Sequence, residues 1–250
     1  DYFLVYARTD FDPDTPPHKA LTCFVVDRTE GVKVEYLYGL MGCRGGGTGR
    51  LAFRDVRVPR ENIVGLLNGA YAVFNTMMVP ERLGTAAMTI GAARPALEVA
   101  TRYTSKRKAF GQKIREFQGV SFQVAEAATL LDASRALVLT TARAVDAGAD
   151  VNLQRRMISE TKRFVTRGCQ QAAEHAMQVM GGIGYTSVYP VERIVRDLRL
   201  ASIWTGTNEV MSLIVASEWY REQLGGEAPA VRDHEQDAAE AGAEGEKIFE

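Results

Sequence analysis

From about residue 69 to residue 224, apolar side chains recur every three or four positions through long alanine-rich runs. That period places a single stripe along one face of a helix, and sustained over such a length it favours a helical bundle. One stripe runs Val120, Val124, Ala127, Leu131, Ser134, Val138 and Thr141; a second runs Met157, Thr161, Phe164, Gly168, Ala172, His175 and Val179. The segment "DAGADV" (146–151) separates them, and the glycines of "GGIGYTS" (181–187) stop the second. We therefore expect four long helices with short joins, packed antiparallel, whose small facing residues let the helices approach closely.

Residues 1–65 follow a different pattern. "YFLVYA", "LTCFVVD", "VKVEYLY" and "GRLAFRDVRVP" are short runs rich in Val, Phe, Tyr and Leu, broken by Asp, Pro and Gly clusters, and they read as strands. "DFDPDTPP" (10–17) reads as a loop and "GCRGGGTG" (42–49) as a flexible crossing between strands. The fold class expected is α+β, with a β-rich part over 1–65 and a helical part over 66–224. Residues 225–250 turn acidic and alanine-rich and are expected to form a mobile tail. The chain opens directly on a strand and closes on the apolar "KIFE", so we expect it to be part of a longer protein.

The bulk numbers remove several function classes. A net charge of −1 leaves no global basic field to draw nucleic acid or an anionic membrane. No run approaches the ~18 apolar residues of a membrane span, and no signal peptide opens the chain. Cys23, Cys43 and Cys169 are odd in number and contain no C-x-x-C pair, which fits a reduced compartment, and His18, His175 and His234 are too scattered for a zinc site. The expected setting is the cytoplasm of a bacterium or the mitochondrial matrix of a eukaryote. Two glycine-rich stretches fail as phosphate loops: "GCRGGGTGR" has no Walker lysine, and "GGIGYTS" lacks the last glycine of a dinucleotide fingerprint.

Two stretches carry chemistry. "IWTGTNEV" (203–210) reads as a helix mouth, where turn and N-cap residues leave backbone N–H groups free for a polar ligand edge. "RYTSKRKAFGQKIREFQ" (102–118) crowds Arg102, Lys106, Arg107, Lys108, Lys113 and Arg115 between two helices. Such cations either complement a helix C-terminus or clamp a pyrophosphate, with Arg107 offering a bidentate fork.

Together with "FRDVRVPRENIVG" (53–65), "QVMGGIGYT" (178–186) and "RDLRLASIWTGTNEV" (196–210), this basic stretch resembles the flavin-dependent acyl-CoA dehydrogenases, with the motifs in that family's order and covering residues 1 to about 224. The resemblance implies part of a middle β-barrel domain followed by a C-terminal four-helix bundle, with the family's N-terminal helical domain and the first strands of its middle domain lying ahead of residue 1. It implies FAD as cofactor, an acyl-CoA substrate, an electron-transferring flavoprotein as electron acceptor, and a homotetramer built as a dimer of dimers. By the same resemblance Arg107, Phe110 and Gln118 contact the flavin of a neighbouring subunit, as do Gln178, Val179, Gly181 and Gly182. Thr207, Asn208 and Glu209 contact the flavin of their own subunit.

The chemistry of that family needs a carboxylate to strip the proton α to the thioester, a task suited to a glutamate desolvated in a dry pocket. Most members carry it directly before the G-T of the closing motif, where this chain has Thr205. A minority, including the isovaleryl-CoA and long-chain enzymes, resemble this chain in another respect. They place the base on an earlier helix, directly before an arginine, and here "MVPERLGTAA" puts Glu81 before Arg82. Glu81 is thus the expected base. Arg82, Thr205 (through its backbone N–H) and Gly206 are the expected substrate contacts. Pro80 and Glu81 also suit the first turn of a helix, and Arg82 a surface ion pair. The competing functional readings are a non-catalytic partner subunit and an acyl-CoA oxidase. The placement of the base favours a branched, long or cyclic acyl group.

Overall fold

In the computed structural model, residues 1–225 are described, and they form two compact units. Of the described residues, the first contains Asp1–Leu40 and Gly45–Val79, and the second contains Met41–Arg44 and residues 80–225. The expected tail lies, but for Gly225, outside the described residues.

In the first unit, β1 (Tyr2–Arg8) pairs antiparallel with β2 (Leu21–Asp27), from Tyr2↔Asp27 to Arg8↔Leu21. On its other edge β2 takes the short β5 (Ile63–Val64). As the central strand, β2 buries Thr22, Cys23 and Val26. A separate ribbon joins β3 (Val32–Leu37) to β4 (Gly49–Phe53), with a register shift between Val34 and Tyr36. The β part is thus two open sheets, with no closed barrel among the described residues. The fourth expected strand stops at Phe53 because Asp55 turns the backbone to φ 52°, which an extended strand cannot accommodate.

Helix α1 (Ala70–Lys106) begins after a turn at Asn68, whose backbone N–H donates to the Thr22 hydroxyl at 2.8 Å. It carries Pro80 and Pro95 in its interior, where each lacks the N–H that would bond the carbonyl four residues back. The small hairpin of β6 (Lys108–Ala109) and β7 (Gln112–Lys113) leads into α2 (Gln118–Asp146). Next come α3 (Val151–Met180), the short α4 (Val191–Ala201) and α5 (Asn208–Leu224). Asp150 caps α3 by accepting the N–H groups of Asn152 and Leu153, and left-handed Gly225 ends α5.

Cross-helix pairs set the packing. Thr141 meets Thr161, Ser134 lies against Gly168, and Gln123 meets His175, so α2 and α3 run antiparallel. Arg155 pairs with Glu218, Arg163 with Ser212 and Thr166 with Asn208, so α5 runs antiparallel to α3. One core joins α1, α2, α3 and α4, and half of its buried members are alanines such as Ala93, Ala127 and Ala173. Small side chains let helix axes approach, as expected. The α2 stripe is the expected one. The buried face of α3 is wider than the expected stripe: Thr161, Gly168, Ala172 and Val179 are buried as expected, Ile158, Lys162, Val165, Cys169 and Ala176 are buried beside them, and Phe164 is 41% exposed.

Residues 41–44 are not a loose crossing. The Cys43 N–H donates to Asp197 Oδ1 at 2.6 Å, Arg196 donates to the Met41 carbonyl at 2.6 Å, and a side chain at Gly42 would run into the Arg196 carbonyl. No helix of the described residues is long and apolar enough to cross a membrane.

Candidate functional site

The turn between α4 and α5 is closed at both ends and open in the middle. The N–H groups of Ile203 and Trp204 both bond the Leu200 carbonyl, at 2.8 and 3.0 Å, and the Asn208 N–H bonds Ser202 O at 3.0 Å. Thr207 caps α5, its hydroxyl accepting the Val210 N–H at 3.3 Å. Thr205 and Gly206 are left-handed, at φ 53° and 89°. Glycine tolerates that geometry, but a β-branched threonine there is strained. The backbone N–H groups of Thr205, Gly206 and Thr207 make no hydrogen bond among the described residues.

The carbonyls of the same turn are held from behind by two buried cations. Arg82 of α1, 4% exposed, donates Nε to the Thr205 carbonyl at 3.0 Å. Lys162 of α3, fully buried, donates Nζ to the Gly206 carbonyl at 2.8 Å and to Asn208 Oδ1 at 3.1 Å. Asn208 Nδ2 bonds the Thr166 hydroxyl at 3.1 Å. Burial first, and then the neighbouring Arg82, push the Lys162 amine down to about 8, with Glu209 acting the other way. Thr205 Oγ1 and Trp204 Nε1 are buried with no partner among the described residues. A cleft of about 590 Å³ opens beside the turn, lined in part by Arg163, Arg167, Arg199 and residues 207–209.

Glu81 sits well inside α1, eleven residues past its first residue Ala70. That removes the helix-start explanation of "VPERL", because no free helix N-terminus lies beside it. Glu81 is exposed and makes no hydrogen bond or ion pair among the described residues. Arg82, by contrast, is buried rather than at the surface. Glu209 does not replace the missing acid: its own backbone N–H and the Thr207 hydroxyl hold its carboxyl below the usual range, which weakens it as a base.

The profile of the acyl-CoA dehydrogenase C-terminal domain matches residues 68–219, from just before α1 into α5. The chain belongs to the acyl-CoA dehydrogenase family. It is 34% identical over 220 residues to the caffeyl-CoA reductase-Etf complex subunit CarC of Acetobacterium woodii, an alignment covering 86% of this chain and 56% of that protein. It is likewise 34% identical to the mitochondrial short/branched chain specific acyl-CoA dehydrogenase of Rattus norvegicus, over 86% of this chain and 49% of that protein. The crystal structure of an acyl-CoA dehydrogenase from Geobacillus kaustophilus superimposes with a TM-score of 0.81 at 31% identity, covering 90% of this chain and 57% of that one. The chain thus spans about half the length of the relatives it matches.

The remaining acyl-CoA dehydrogenase motifs lie at the surface. Arg107 follows the last residue of α1 and shares a cleft of about 500 Å³ with Arg102, Lys106 and the edge-to-face pair Tyr103 and Tyr189. Phe110, at φ 52° in the β6–β7 turn, is 95% exposed, and Gln118 is exposed at the first position of α2. At the end of α3, Gln178, Gly181 and Gly182 are exposed while Val179 is buried in the core.

Other chemistries find no footing. No group of three or more His, Cys, Asp or Glu gathers as a metal site among the described residues. Burial pushes the Cys169 thiol up to about 12, and burial followed by Asp197 raises that of Cys43, so neither offers a thiolate at neutral pH. Sequence reasoning missed Lys162. Its signal was a lysine four residues after Ile158 on the apolar face of α3, where a charge needs a reason.

Proposed function

We propose that this chain carries the helical part of an enzyme that dehydrogenates an acyl-CoA thioester between its α and β carbons, with Glu81 as the base. One observation carries the assignment. Arg82, the neighbour of Glu81, bonds the Thr205 carbonyl across 123 residues of sequence. The helical turn bearing the carboxylate is thereby fastened to the turn that lacks one.

The residues present fit a flavin. The turn offers free backbone N–H donors, a Thr207 hydroxyl and an Asn208 amide, and two buried polar atoms lie there without partners. FAD, when bound, accepts the hydride that leaves the β-carbon, so the thioester departs as a trans-enoyl product. Thr207, Asn208 and Glu209 hold that flavin within the subunit. Arg107, Phe110, Gln118, Gln178, Gly181 and Gly182 belong to the surface that meets the flavin of a neighbour, in a homotetramer, with Val179 packed in the core behind them.

This chain's own contribution is binding and proton transfer. The Thr205 N–H, with Gly206 beside it, donates to the thioester oxygen and stabilises the charge that develops there. A backbone donor works whatever the side chain, so threonine at this position does not cost the enzyme its oxyanion contact. Glu81 takes the α-proton; it becomes a competent base when the acyl group and the rest of the protein exclude water from it. Placement of the base on α1 favours a branched, long or cyclic acyl group. The name of the Acetobacterium woodii relative, a subunit of a reductase-Etf complex, supports an electron-transferring flavoprotein as partner, and in the oxidative direction that partner is the electron acceptor.

The test is Glu81→Gln in the flavin-loaded protein, following flavin absorbance on mixing with acyl-CoA thioesters. Loss of the base lowers the rate of reduction by about 10³-fold; reduction at an undiminished rate refutes the assignment. A second reading, a non-catalytic partner subunit, draws on the exposure of Glu81. It predicts that the unmutated protein binds flavin and acyl-CoA without bleaching.

A further inference from the structure

Lys162 is an expensive residue to keep where it is. Its partners are two neutral oxygens, Gly206 O and Asn208 Oδ1, and its side chain is fully buried. A buried ammonium without a carboxylate on it opposes folding. It also sits close enough to Arg82 for the two positive charges to repel. Both cations end on successive carbonyls of one turn.

The geometry has a consequence for the opposite edge of those peptide groups. The carbonyl of residue 205 and the N–H of residue 206 belong to one planar, conjugated unit, as do the carbonyl of 206 and the N–H of 207. A cation on the oxygen draws electron density through the amide and strengthens its N–H as a donor. Arg82 therefore acts on the Gly206 N–H and Lys162 on the Thr207 N–H, neither of which makes a hydrogen bond among the described residues.

We propose that Lys162 is a positioning residue of the 205–207 turn: with Arg82 it takes up the two carbonyls and so fixes and polarises the N–H groups of Gly206 and Thr207 toward an acceptor oxygen on a bound ligand. The identity of that ligand rests on the function proposed above; the polarisation does not. The charged groups acting on Lys162 are Arg82 from α1 and Glu209 from the first turn of α5, with Arg199 of α4 acting on Glu209 in turn. Thr166 and Asn208 complete the shell and are neutral.

The two cations differ in one testable respect. Burial brings the Lys162 amine down to about 8, within reach of a titration, and its carbonyl partner is that of Gly206, whereas Arg82 holds that of Thr205. In the ligand-free, ¹⁵N-labelled protein, the Thr207 amide resonance should move with a midpoint near 8, while the Gly206 amide moves much less. Lys162→Arg should hold the Thr207 amide at its low-pH position throughout, and Lys162→Met should hold it at its high-pH position. A Thr207 amide that does not follow pH in the unmutated protein overturns the proposal, as does one that still follows it in Lys162→Arg. The unmutated protein and the arginine variant decide the matter even if Lys162→Met fails to fold.

A second arm uses the flavin-loaded protein with a saturated acyl-CoA. Turnover should fall above pH of about 8 in the unmutated protein and stay flat in Lys162→Arg. In Lys162→Met, kcat should drop roughly tenfold with KM little changed, because the Thr207 N–H that Lys162 polarises belongs to the proposed flavin contact while the Thr205 N–H keeps the thioester oxygen. Equal pH profiles in the unmutated and arginine proteins overturn the link to catalysis. If acyl-CoA reduces no flavin in any variant, the proposed function fails, and the amide titration still decides the positioning role.

Discussion

The turn at 204–208 and the connection at 107–118 are both candidate ligand contacts, yet they are built in opposite ways. In the turn, the groups that face a ligand are backbone N–H donors, and buried side chains from α1 and α3 hold the backbone that carries them. In the connection, backbone bonds fix the chain, Arg107 N–H to Tyr103 O and Ile114 N–H to Arg107 O, both at 2.9 Å. Its candidate side chains, Arg107, Phe110 and Gln118, stand in solvent. The turn and its anchors come from helices of this chain, so stability and donor geometry are coupled there. In the second, the exposed candidate side chains are not the groups that fix the backbone, so the two properties separate.

The sharpest way to break that contrast is at Gly206. A Cβ there would sit 2.9 Å from Met211 Cε and 3.2 Å from Arg82 Nη2, at φ 89°. Gly206→Ala is therefore expected to destabilise the fold by about 2–3 kcal/mol, combining left-handed strain with overpacking. Thermal unfolding measures this, and an unchanged midpoint would mean that the turn is not fastened. Thr205 should respond in the opposite direction. Replacing this strained, β-branched residue and its unpartnered hydroxyl in Thr205→Gly relieves more than the added chain entropy costs, for a gain of ~1 kcal/mol.

Lys162 sharpens the comparison through pH. Its folded value of about 8 lies below its ordinary value of 10.5. Between those two values the unfolded chain binds more protons than the folded one, so stability rises with pH across that window. Below about 8 both states are charged and the full burial penalty stands. Relative to Lys162→Met, the unmutated protein should gain on the order of 2 kcal/mol between pH 8 and 10.5. Denaturant melts at the two ends of the window measure it; parallel curves would show that the amine is not held in a desolvated site.

These particulars also mark how far the sequence could be read. Three strands were legible from β-branched and aromatic runs between turn residues, and the α2 stripe from its spacing, because both depend on local pattern. The α3 stripe was read too narrowly: Thr161, Gly168, Ala172 and Val179 are buried as expected, but packing against both α2 and α5 buries a second row that includes Lys162 and Cys169. In the turn, the "TGTN" stretch was visible as an N-terminus, but its anchors were not. Lys162 is 44 residues from its partner Gly206, and nothing local marks that pairing. Residues 42–49 read as flexible because glycine usually buys freedom, whereas Gly42 is there to let the backbone pass the Arg196 carbonyl.

The smallest expected effect on stability is the one that tests the second half of the comparison. Arg107→Ala removes an exposed side chain and leaves both backbone bonds of the connection intact. Its effect on unfolding should stay within about 0.5 kcal/mol. The same change deletes a charge-assisted contact to a pyrophosphate, worth roughly 1.5–3 kcal/mol, so flavin affinity should fall about 10- to 100-fold. Equilibrium dialysis against FAD, run beside a thermal melt, reads both quantities from one preparation. A loss of stability without a loss of flavin would reverse the assignment, making Arg107 part of the scaffold. A loss of flavin alone shows that the connection is a surface waiting for a ligand, unlike the turn, whose donors cannot be altered without disturbing the fold that aims them.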